Sequence, residues 1–98
     1  MSYTVTEPAR ADLAGLLDAV AADQGLEIAD RLEEAFVRAF RRVAEFPHLG
    51  HARKDLTSRS LRFWQVRRWM LVYQPSDPVL IVRVLHGARD VATLLDEG

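Results

Sequence analysis

Ninety-eight residues, 49% apolar and 28% charged, describe a single domain with a core of its own and exclude a disordered tail. The chain has no cysteine and only three histidines, none in a metal-ligand spacing, so disulfides, thiolate sites, metals and cofactors are not expected. The net charge of −1 hides a division: residues 1–50 carry 5 basic and 9 acidic side chains (−4), residues 51–98 carry 8 and 5 (+3).

The first residues, Met-Ser-Tyr-Thr-Val-Thr-Glu, lack the basic start and apolar run of a leader. No apolar stretch approaches the roughly 18 residues that span a bilayer. The expected setting is the cytoplasm, without membrane contact. Tyr3 and Val5 alternate with threonines and predict a short first strand. Thr6 then caps a helix with Pro8 in its first turn, where a missing N–H costs nothing. Leu13, Leu16, Leu17 and Val20 give that helix one apolar face from about residue 8 to 23, with Gly25 as its stop.

A second helix is the clearest element. Ile28, Leu32, Ala35, Phe36, Ala39, Phe40 and Val43 form one stripe over about four turns. Glu27 to Arg31 and Glu34 to Arg38 are acid-first pairs four residues apart, each worth about 0.2–0.5 kcal/mol. Pro47 and Gly50 end the helix, and the two helices read as an antiparallel hairpin. A loop follows, in which His48 and His51 read as surface residues.

Three short strands are predicted near 60–66, 68–75 and 79–86, the last two joined by Ser76-Asp77-Pro78. A helical turn over 91–95 closes the domain. The expected architecture is α+β: a strand, a helical hairpin, then a three-strand meander forming an antiparallel sheet under the helices. In the last strand Leu80, Val82 and Val84 are assigned to one face, and Val79, Ile81, Arg83 and Leu85 to the other. Both faces are apolar, which predicts a central strand covered on both sides.

Two clusters can carry chemistry. Within 51–68, Arg53, Lys54, Arg59, Arg62, Arg67 and Arg68 face only Asp55, a local charge of +5. Arg62, Arg83, His86 and Arg89 can form a cationic site for phosphate, with His86 positioned to move a proton near neutral pH. The alternative is structural: Arg83 paired with Asp90 or another acid, and Asp90 capping the last turn. Trp64 and Trp69, beside Arg67 and Arg68, read either as a protein-binding patch or as an aromatic and basic nucleic-acid surface.

The chain resembles the ParE branch of the RelE/ParE toxins of type II toxin–antitoxin systems, also called plasmid stabilisation proteins. The likeness is carried by Ala9-Arg10-Ala11-Asp12-Leu13, by the loop from Phe46 to Leu56, by Arg68-Trp69-Met70-Leu71-Val72-Tyr73 and by Ile81-Val82-Arg83-Val84-Leu85-His86-Gly87-Ala88-Arg89-Asp90. It implies a toxin neutralised by a cognate, ParD-like antitoxin encoded beside it, whose C-terminal segment crosses the toxin surface. ParE-like relatives block DNA gyrase, whereas RelE-like relatives cut messenger RNA on the ribosome. In the nuclease branch the matching residues are Arg62 and Arg83 on phosphate, with His86 beside them. This chain has one lysine and no tyrosine beyond Tyr73, and glycine follows His86. Those departures favour a toxin that binds gyrase without catalysis. The alternatives are a ribosome-dependent endonuclease and a degenerate toxin that binds only its antitoxin. The candidate binding residues are Trp64, Arg67, Arg68, Trp69, Arg83, His86 and Arg89.

Overall fold

A computed structural model describes residues 2–55 and 58–86. The order is β1 (Tyr3–Val5), α1 (Glu7–Gln24), α2 (Leu26–Glu45), β2 (His51–Ala52), β3 (Arg62–Val66), β4 (Trp69–Gln74) and β5 (Val79–His86). The expected helical turn over 91–95 lies outside the described residues, as do Gly87, Arg89 and Asp90.

The sheet has five strands in the order β1-β5-β4-β3-β2. It is mixed and not purely antiparallel as expected, because β1 runs parallel to β5 with Tyr3 opposite Val79 and Val5 opposite Ile81. Entering helices directly after β1 lets the chain return beside its own first strand. Strand β2, read from sequence as loop, is a two-residue edge that pairs His51 with Phe63 and Ala52 with Arg62.

Helix α1 starts where its cap predicts: the Thr6 hydroxyl accepts the Ala9 N–H at 3.3 Å. Gly25, at φ 99°, turns the chain directly into α2. The stripe on α2 is buried as Leu32, Phe36, Ala39, Phe40 and Val43, and Glu27 meets Arg31 at 2.8 Å on its exposed side. Rings line up through this layer. Tyr3 lies against Phe40 (5.5 Å between centroids), Phe40 against Phe36 (6.2 Å), and Phe36 edge-on to Trp69 (6.1 Å).

Strand β5 corrects the sequence reading in one respect. Tyr73 pairs with Ile81 but Val72 with Arg83, so Val82 is an extra residue in a β-bulge. One added residue reverses every later side chain. Val79, Ile81 and Val84 therefore share the helix-facing core, while Val82 and Leu85 join Leu61, Phe63 and Val72 in a smaller cluster on the other face.

The bulge is tied to α1. The Thr6 hydroxyl donates to the Val82 carbonyl at 3.0 Å. Asp12 accepts both the Nε and an Nη of Arg83, at 2.7 and 2.9 Å, and the Val84 N–H at 3.0 Å. The carboxylate thus serves a guanidinium and a strand-edge amide together, and holds the Arg83 pKa above its already high ordinary value.

A second tie fixes the loop after α2. The buried Tyr73 hydroxyl donates to the Pro47 carbonyl at 2.7 Å and accepts the Gly50 N–H at 2.8 Å. Its cross-strand partner Arg62 donates to the Gly50 carbonyl at 2.7 Å. Gly50 is required here for space, since a Cβ would lie 2.8 Å from the Tyr73 ring and 2.9 Å from the Phe63 carbonyl.

Asp12→Ala is expected to lower stability by about 2–3 kcal/mol in denaturant titration, and Asp12→Asn, which keeps an acceptor for Val84, by less. A wild-type midpoint for Asp12→Ala would remove the tie. Burial raises the Tyr73 pKa above 10.0, opposed by the Gly50 hydrogen bond and the Arg62 charge. The unfolded chain therefore releases this proton first, and stability falls as pH rises past about 10. Tyr73→Phe should flatten that alkaline slope while costing about 1 kcal/mol at neutral pH.

Candidate functional site

Residues from four elements converge where the β3–β4 hairpin tip and the end of β5 meet the helical turn. Val66 pairs with Trp69, and Trp69 with His86, which places Arg67 and Arg68 at the tip and brings His86 beside the tryptophan. The Trp69 and His86 rings are 5.8 Å apart, and the Arg68 guanidinium lies 5.9 Å from the Trp69 centroid.

Against this edge, Leu16, Ala19, Val20, Asp23 and Gln24 of α1 close a depression of about 370 Å³. A second, of about 210 Å³, continues past Val20 and Gln24 to Ile28 and Leu32 of α2, under Arg67 and Arg68. Together they make an open groove with an apolar floor, a cationic rim on the hairpin side and Asp23 on the helical side. Such a surface suits a polypeptide with apolar and acidic side chains.

Four of the candidate residues, Arg67, Arg68, Trp69 and His86, thus gather at one place. Trp64 is half-buried against the helix-facing core opposite Leu71. Arg83 is bound to Asp12, the structural alternative raised above with a different acid. Arg62 sits opposite Tyr73, four residues along β4 from Trp69, or about 13 Å at strand rise, with its guanidinium on the loop carbonyls of Gly50 and His48. Arg62, Arg83 and His86 therefore do not converge.

The basic run of 53–68 is also divided in space. Arg53 forms a two-point contact with Asp55 at 3.0 and 2.8 Å and lines a separate depression with His51, Phe63, Gln65 and Met70, none of which lines the groove beside Trp69. Among the described residues no cluster of three or more histidines and carboxylates could hold a metal ion. No described helix is long and apolar enough to cross a membrane.

The sequence reading missed Asp12 and the α1 wall of the groove. Asp12 had a signal, since it lies three residues after buried Ala9 and four before Leu16, at the margin of the apolar face. Asp23 and Gln24 had none. His86, with only a ring contact described for its side chain, should tolerate alanine within about 0.5 kcal/mol of stability, as read by thermal melting.

Comparison with known proteins agrees over nearly the whole chain. Residues 3–91 match the family model described as ParE toxin of type II toxin-antitoxin system, parDE. Toxin ParE3 of Caulobacter vibrioides is 31% identical over 91 residues, covering 92% of this chain and 90% of that protein. A chain from the chromosomal ParDE toxin–antitoxin system of P. aeruginosa has the same fold, with a TM-score of 0.74 at 19% identity over 88% of this chain and 95% of its own. The match of the family model over residues 3–91, with a relative 31% identical over nine-tenths of each chain, shows that this chain belongs to the ParE toxin family of type II toxin–antitoxin systems.

Proposed function

We propose that the protein is a toxin that acts by binding, with DNA gyrase as its target, and that a cognate antitoxin neutralises it in the cytoplasm. The observation that carries the binding reading is the engagement of its candidate catalytic cations. Arg62 holds a loop and Arg83 holds a helix. A phosphate-cleaving site needs a base, an acid and a cation gathered around one reacting group. Here the guanidiniums face carbonyls and a carboxylate within the fold, and His86 stands apart beside Trp69.

The antitoxin reading is supported by family membership and by the groove. A domain this small gains from covering such a surface, since about a third or more of its unfolded area stays exposed after folding. An endonuclease would require Arg62 and Arg83 to leave partners that stabilise the fold. A toxin that has kept only antitoxin binding would show the groove without growth arrest.

Induction of the chain without antitoxin is expected to arrest growth, to trap gyrase on cleaved DNA and to induce the SOS response. Ribosome-bound messages should remain whole. Cuts at codon positions with gyrase unaffected would reverse the assignment, and absence of both effects would leave the antitoxin-only reading. Co-expression of the antitoxin encoded beside the gene should restore growth.

A further inference from the structure

Resting on the antitoxin reading, we propose that the hairpin tip is a carboxylate anchor. Arg67 and Arg68 grip an acidic side chain of an antitoxin segment whose apolar residues lie in the groove beside Trp69. The starting observation is an arginine at a hairpin position that needs a positive φ and that glycine fills without strain. The two-residue turn between Val66 and Trp69 holds Arg67 at φ 55°, a left-handed conformation that glycine adopts freely and a long side chain resists. The Gln65 side-chain amide donates to the Arg67 carbonyl and braces the turn. The Arg67 side chain is exposed, and no ion pair or hydrogen bond to its guanidinium is formed among the described residues. The strain at this position is therefore carried by a side chain that is exposed and open to a partner.

The surroundings specify the occupant. The Arg68 guanidinium lies 5.9 Å from the Trp69 ring centroid, and Arg67 and Arg68 both line the same depression beside it. Paired guanidiniums above apolar surface suit a carboxylate with a bulky apolar neighbour. Asp23 on the opposite wall repels the same carboxylate, so the charges set which way the segment lies. A phosphodiester chain would meet Asp23 and an apolar floor, which disfavours nucleic acid here.

The test compares wild type, Arg67→Gly and Arg67→Lys for melting temperature, for affinity toward the full-length antitoxin encoded beside the gene, at low and high salt, and for growth arrest. Arg67→Gly is expected to melt at or above the wild-type temperature, yet to bind antitoxin about ten-fold more weakly and with a flatter salt dependence. Arg67→Lys should keep most of the salt dependence. Antitoxin that binds wild type and Arg67→Gly equally would overturn the anchor and leave the antitoxin reading intact. Antitoxin that binds neither would overturn both. A lower melting temperature for Arg67→Gly would show that the arginine serves the fold, and lost growth arrest with unchanged antitoxin affinity would assign the tip to the target; either result overturns the anchor.

Discussion

The carboxylate of Asp12 completes an edge of the sheet that β1 is too short to cover. β1 reaches only from Val79 to Ile81 along β5, so the rest of β5 would present unpaired backbone on that side. The first turns of α1 take over from the strand. Thr6 satisfies the Val82 carbonyl and Asp12 the Val84 amide, while Arg83 turns the second contact into a charged clamp. The bulge at Val82 belongs to the same device, because it sets where the strand resumes its alternation after meeting the helix.

That clamp also fixes the groove. α1 is pinned near its start by Thr6 and Asp12, and its far end, with Asp23 and Gln24, then faces the hairpin tip. The line of rings from Tyr3 through Phe40, Phe36 and Trp69 to His86 runs beneath. Of these rings Trp69 and His86 line the groove itself, and Phe36, packed edge-on behind Trp69, supports it from the core. The arginines divide accordingly: Arg62 and Arg83 are spent on internal geometry, and the hairpin pair faces outward. Residue type alone does not make this distinction, since each is an arginine on or beside a strand.

Much of the fold was legible because its period is unambiguous. The stripe from Ile28 to Val43 admits only a helix, and Thr6, Pro8 and Gly25 mark the limits of α1. The bulge was not legible. Val79 to Leu85 is apolar at every position except Arg83, so either alternation fits and only the contacts with α1 select one. Parallel pairing of β1 was hidden for a related reason, since three residues carry no mark of which neighbour they will meet. At the site, Arg67, Arg68 and Trp69 were found because they are adjacent in sequence, and His86 because it ends a strand. The wall from α1 depends on how the helices cross the sheet, which local pattern does not encode.

The pairing of β1 with β5 has a consequence for synthesis. Thr6 and Val82 are separated by 76 positions, so the ladder and the clamp beside it close only after residues 79–84 have left the ribosome. Until then the helical hairpin can form by local contacts, but its apolar stripe has no complete sheet to cover it. Folding that waits on so distant a contact is slow and leaves greasy surface open to aggregation. A nascent chain of this protein is therefore vulnerable until β5 has been made, and it becomes competent abruptly, when that strand docks between β1 and β4.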